Sequence, residues 1–248
     1  MKRREFHRIF KSTGPVVLPV IHVLDTPRTF KNIDVLIQSG APGCFLINHD
    51  FGIEPFLPII RDVRAAAPWL WMGINFLGVT GGEAFPMLGQ LSREGTGIDA
   101  YWADDAMVDE TGRDNAAAEK ALDGKLHHAW GGLYFGGTAF KKQREVPSAR
   151  YEMAARWATQ LMDVVTTSGV ATGEAADTDK IATFRKGVGE TALAVASGIT
   201  PDNAADYANV DCFMVATGIN HKDNFYDIDP ARLDALLQVT RDMGKTKP

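Results

Sequence analysis

The stretch ALAVASGITPDNAADYANVDCFMVATGI, residues 192–219, holds two short apolar runs, each opening into a loop of small residues. The first run, 192–196, leads through Ser197-Gly198-Ile199 to Thr200-Pro201. A capping hydroxyl followed by a first-turn proline is a helix start signal, here ahead of 203–207. The second run, 211–216, leads into Thr217-Gly218-Ile219. Two strands joined by a helix-bearing connection belong side by side and parallel in one sheet.

The same unit recurs toward the N-terminus. Strand candidates fall at 16–23, 43–48, 71–76, 98–103, 129–135 and 163–167, so the chain carries eight in all. Several are nearly continuous apolar runs, as expected of parallel strands covered on both faces. Helical patterns lie between them. Asp229-Pro230 repeats the start signal before a stripe of Leu233, Leu236 and Leu237. Ser148 is placed to cap a helix lined by Ala154, Trp157, Ala158 and Leu161. Gly40, Gly95, Gly124 and Gly189 sit where helices should end. Eight units in 248 residues predict an α/β fold, a single (β/α)8 TIM barrel. No Gly-x-Gly-x-x-Gly follows the first strand, which removes support for a dinucleotide-binding sheet.

Residues 1–14 read as a short basic arm and 15–248 as the barrel. Phe6, Ile9 and Phe10 would form the inner face of an arm helix that plugs one barrel end. Lys2, Arg3, Arg4, Arg8 and Lys11 also permit contact with a membrane surface. No stretch is long enough to span a bilayer. The apolar run after the arm is broken by Pro19 and His22, unlike a secretory leader. Cys44 and Cys212 read as buried free thiols, and nothing in their spacing suggests zinc. A cytoplasmic protein is expected. The formal charge of −5 and pI near 5.7 speak against nucleic acid as a partner. The region 105–125 reads as the loosest connection, along with the tail after Met243. A homo-oligomer is expected from an apolar outer helix, with Trp69, Trp71 and Trp102 assigned either to a contact or to the core.

Barrel active sites lie at the C-terminal ends of the strands, and this rule selects the candidates. His22 and Asp25 follow strand one; Asn48, His49 and Asp50 follow strand two; Asn75 ends strand three. Asp104 and Asp105 end strand four, and neighbours in a strand point to opposite faces, so at most one enters the mouth. Asp105 is taken as that one. Asp104 and Asp105 could bind Mg²⁺ or act as acid and base, and Asp50 with Asp105 could likewise hold a divalent metal; no other cofactor is expected. Lys141 follows strand five as an anion partner or Schiff-base amine, or as part of a solvated basic loop with Lys142 and Arg144. Thr167, Ser168, Thr172 and Glu174 follow strand six, and Glu174 can serve as acid or base. His49, Asp50, Asp105, Lys141 and Glu174 form the candidate catalytic set. His127 and His128 precede strand five and read as structural.

The last two loops carry the sharpest signal. Glycine lets backbone N–H groups approach an anion, and a helix start favours negative charge. Loops seven and eight are the usual phosphate site of this fold. Ser197, Gly198, Thr200, Thr217 and Gly218, with His22, Asn48, Asn75 and Thr167, are therefore the candidate ligand-binding residues. The expected partner is a small anionic or phosphorylated metabolite.

The segment MDVVTTSGVATGEAAD, 162–177, resembles the hallmark segment of the BtpA/SgcQ family of barrel proteins. The resemblance extends to Val20-Ile21-His22, Asn48, Phe51-Gly52, Pro55-Phe56, Gly73-Ile74-Asn75, 196–200 with Asn203, and 211–217. The stretches 48–50, 101–105 and 135–138 depart from its pattern. What it implies is a barrel of the ribulose-phosphate-binding group. Family branches are linked to photosystem I biogenesis and to sugar-metabolism operons, so it implies no single reaction. Three functions are compatible with these readings. One is an isomerase, epimerase or aldol-type lyase acting on a small phosphorylated sugar or related anion. The others are a non-catalytic assembly or regulatory factor and a divalent-metal lyase.

Overall fold

In a computed structural model, the protein is described over residues 1–112, 116–141 and 143–245. Lys142 and the last three residues lie outside the described residues. Eight strands form one closed, all-parallel barrel in sequence order. They are β1 (Val16–Val23), β2 (Gly43–Asn48), β3 (Trp71–Phe76), β4 (Ala100–Ala103), β5 (Leu133–Gly137), β6 (Val164–Thr167), β7 (Ala192–Val195) and β8 (Cys212–Val215). The helices are α1 (Arg3–Ile9), α2 (Thr26–Ser39), α3 (Ile53–Ala66), α4 (Gly81–Arg93), α5 (Ala116–His127), α6 (Tyr151–Ala158), α7 (Thr178–Val188) and α8 (Pro230–Lys245).

Side-chain alternation divides the apolar residues into two cores. One fills the barrel: Leu18, Val20, Phe45, Ile47, Trp102, Phe135 and Met214 belong to it. The other lies between strands and helices and includes Val17, Leu46, Ile74, Leu233 and Leu236. Cys44 and Cys212 are buried and unpaired. Trp71 and Trp102 pack in the barrel core, whereas Trp69 is 67% exposed. No described helix is long and apolar enough to cross a membrane.

The first three strands have the limits expected from sequence, and four strands are trimmed. The run 98–103 begins its ladder at Ala100, and the last three runs shorten at one or both ends. The fifth, expected at 129–135, is displaced to Leu133–Gly137. Ala129 instead takes φ 53° in the turn after α5, and Trp130 packs its ring on Phe85. Gly124 does not end a helix: α5 runs through it to His127, inside the stretch expected to be loosest. Gly40 and Gly189 do close α2 and α7. The largest correction concerns the seventh connection. No α-helix follows Thr200-Pro201; 204–207 forms a single 3-10 turn. The Asn203 side chain accepts from the Thr200 N–H and donates to the Gly198 carbonyl, which winds the segment into a compact turn.

The short helix α1 covers the N-terminal floor of the barrel. Phe6 is fully buried, 6.2 Å from the Phe135 ring and 5.1 Å from Phe10, which meets Trp71 at 5.0 Å. Ile9, expected on the same face, is instead exposed, because one short helix presents only Phe6 and then Phe10 inward. Three aspartates brace this floor. Asp99, Asp163 and Asp211 each stand just before an even-numbered strand. Each accepts one N–H of the preceding strand (Met72, Tyr134, Leu193) and one cation of the preceding odd-numbered helix (Arg64, Lys125, Arg185).

Asp211 is the most enclosed of the three. Its Oδ1 also accepts from Arg3 Nε at 2.8 Å and lies 3.1 Å from His7 Nε2, so it ties α1 to β8. Burial pushes this carboxyl up, but His7, Arg185, the Leu193 N–H and Arg3 outweigh burial and hold it well below the usual range.

Candidate active site

At the C-terminal mouth a pocket of about 580 Å³ opens between the strand ends. Its titratable lining residues are His22 from β1, His49, Asp104 and Lys141. Gly173, Ser197, Gly198 and Thr217 line it as well, and the Lys141 Nζ lies beside them, donating to the Ala196 carbonyl at 3.3 Å. Trp102, Ile47, Val20 and Met214 form an apolar base.

Parity on β4 settles which aspartate enters. Trp102 points into the barrel, so Asp104 does as well, and it is buried. Asn75 donates to Asp104 Oδ1 at 3.3 Å from below. Asp105 faces away: its carboxylate accepts from Gln143 at 2.6 Å and from the Met107 N–H at 2.7 Å. The expected choice of Asp105 is thereby reversed.

His22 is held between rings. It stacks on Phe225 at 3.8 Å between centroids and meets His49 edge-on at 5.6 Å. Burial, then the nearby His49 and Lys141, lower its pKa to about 4. His22 is therefore a neutral imidazole near pH 7, able to accept or donate a hydrogen bond but not to store a proton. The unfolded chain protonates this ring at ordinary pH, so it binds more protons than the folded state between about pH 6.5 and 4. Stability should rise with pH across that window, by ~3 kcal/mol at most. Urea unfolding of wild type and His22→Gln at pH 4.5 and 7 checks this: the variant should lose the slope.

The anion side is built from loops six to eight. Ser197 Oγ accepts the Gly169 N–H at 2.8 Å, which leaves its own O–H available to donate. Gly198 has φ 65°, and a Cβ there would lie 2.1 Å from the Ala175 nitrogen. Glycine is thus required where loop seven touches loop six. Gly218 does not line the pocket; a Cβ on it would lie 1.8 Å from the Ile199 carbonyl oxygen. It serves close backbone packing between loops seven and eight. Gly218→Ala should cost about 2–3 kcal/mol in urea unfolding, because the clash is with backbone and cannot rotate away.

Several sequence candidates lie outside the pocket. Asn48 is buried and fully engaged, accepting from the Leu77 N–H and donating to the Phe51 carbonyl. Asp50 is exposed and accepts from the Tyr226 hydroxyl. Thr167 is buried behind the pocket and donates to the Ala139 carbonyl. Glu174 is exposed, on the far side of Gly173. The Thr200 N–H is taken by Asn203. Asp50 and Asp105 each have a protein partner, and among the described residues no three His, Cys, Asp or Glu side chains gather as a metal-binding group.

Two groups escaped sequence reasoning. Phe225 and Tyr226, from the loop after β8, fold back over His22 and Asp50. Only tertiary packing brings them there, although their aromatic character in a polar loop is a signal. Lys180, on α7, reaches the loops after β5 and β6.

No protein-family model matches the chain, and no curated protein matches it in sequence. Its fold is similar to tryptophan synthase subunit alpha of Legionella pneumophila, at 16% identity over the whole of both chains with a TM-score of 0.63. It is also similar to the native KDPGal structure, at 11% identity and TM-score 0.64 over 92% of this chain and 96% of that one. The same holds for phosphoribosyl anthranilate isomerase of Thermus thermophilus, at 11% identity and TM-score 0.59 over 90% and 97%. Likeness at these identities establishes the barrel fold.

Proposed function

We propose that this barrel is an enzyme that moves a proton next to a carbonyl in a small phosphorylated sugar or related anion, as an isomerase, epimerase or aldol-type lyase. One observation carries the reading. A single pocket brings titratable groups (His49, Asp104, Lys141) together with a cradle of Ser197, Gly198, Gly173 and Thr217. The cradle holds the anionic end through hydroxyl and backbone donors, which supplies binding energy remote from the reacting atoms. Lys141 faces the carbonyl oxygen and stabilises negative charge as it develops. Asp104 takes the proton from the adjacent carbon, and neutral His22 steadies the same oxygen or a neighbouring hydroxyl. The enzymes with similar folds support the reading, one of them a phosphoribosyl anthranilate isomerase by name. So does the resemblance of 162–177 to the BtpA/SgcQ family, whose segment forms the edge of this pocket.

The test combines binding and exchange. A panel of sugar phosphates should raise the melting temperature of the wild type and less that of Ser197→Ala/Thr217→Val. In D₂O, a bound sugar phosphate should lose its carbon-bound proton adjacent to the carbonyl, followed by NMR. No stabilisation by any member of the panel, together with an unchanged double variant, would sink the proposal.

A further inference from the structure

Lys180 is the third residue of α7, where a cation opposes the helix dipole. Its Nζ donates to the carbonyls of Ala139 and Ser168, both at 2.7 Å, which uses two of its three donors. The rings of Tyr151 and Phe184 flank it at 5.1 and 5.8 Å. It forms no ion pair among the described residues, and burial alone lowers its pKa to about 8.

This ammonium forms the shared wall of two adjoining clefts outside the mouth, of about 640 and 840 Å³. Other charged groups face the clefts. Arg144 is committed to Asp109 and Glu110 at 2.7 and 2.9 Å. Lys141 borders both the first cleft and the mouth pocket, and Glu145 lies on the first cleft's rim. Asp177 and Asp179 line the second cleft, with Asp177 accepting the Asp179 N–H as the helix cap. A half-buried ammonium held by two carbonyls, with no carboxylate partner among the described residues and open volume beside it, can take an oxyanion on its third donor.

We propose that the cleft between the loops after β5 and β6 binds an oxyanion group, the phosphate or carboxylate of a small metabolite, with Lys180 as its central cation. This site is distinct from the Ser197–Thr217 cradle, and its evidence does not depend on what the mouth turns over.

The experiment follows the ¹³Cε signal of Lys180 through a pH titration of the full chain, with and without saturating inorganic phosphate and, separately, malonate. An anion seated on Lys180 should move its midpoint upward by at least one pH unit. A response to phosphate assigns a phosphate site, and a response to malonate assigns a carboxylate site. The Ser197→Ala/Thr217→Val variant should keep the response, which separates this site from the mouth. Lys180→Met should lower phosphate affinity at least tenfold at this site. If that variant does not fold, Lys180→Arg, which keeps the charge, should retain phosphate-induced stabilisation. A Lys180 midpoint that moves with neither anion in the wild type overturns the proposal.

Discussion

Asp211→Ala should lower the unfolding free energy by about 3 kcal/mol, the largest loss expected from any single floor residue. The wild-type carboxylate is fully buried and accepts from Arg3, Arg185, His7 and the Leu193 N–H. Removing it leaves these donors facing one another with no shared acceptor. Both arginines keep some solvent contact, which holds the loss near the lower end for a broken buried pair. Urea unfolding measures it, and amide exchange in α1 should quicken more than in α8. The pH dependence gives a second check. The folded carboxyl is held below its ordinary 3.8, so its contribution is present above that value and drains away as pH falls further. The variant should lack that acid-side loss. Asp99→Ala should cost less, since Asp99 retains 39% of its side-chain exposure.

Asp104→Asn should reduce proton exchange from a bound sugar phosphate by 10²-fold or more, with little change in stability. The amide keeps the size of the carboxylate and can still meet Asn75, but it cannot take a proton. Ligand-induced stabilisation should survive, because the anion cradle of Ser197, Gly198 and Thr217 does not include Asp104. Asp105→Asn is the matched control. Its carboxylate serves Gln143 and the Met107 N–H, so exchange should change less than twofold. Equal losses in the two variants would remove Asp104 from the proposed reaction, and a retained rate in both would do the same.

The barrel was legible because its first three strands are long and apolar on both faces. Their limits follow from composition alone. The later strands are only four or five residues long and carry Gly136-Gly137 and Thr166-Thr167, which blur the pattern. The seventh connection misled because Thr200-Pro201 is a sound helix start. Asn203 then turns its side chain back onto Gly198 and Thr200, a choice that a propensity cannot reveal. At the mouth, Lys141, Ser197, Gly198 and Thr217 follow from their places after strands. The rule that strand ends bear the site does not say which way each side chain points. Asp104 was recoverable from its two-residue spacing to Trp102, once Trp102 is known to face inward. Lys180 was not recoverable, since it enters from a helix and meets loops about forty and twelve residues before it.

The Asp211 junction also bears on how the chain is made. Arg3 and His7 leave the ribosome more than two hundred residues before the carboxylate they must reach. For most of synthesis α1 has neither the Asp211 carboxylate nor the backbone partners of Arg3 and Met1 at Glu190 and Ala192, and Phe6 has no closed barrel to enter. The floor is sealed last, when the eighth strand arrives between the first and the seventh. Contacts of such long separation form slowly and late. A nascent chain stalled before residue 211 should therefore carry an undocked, protease-sensitive N-terminal helix, and release of the finished chain should protect it.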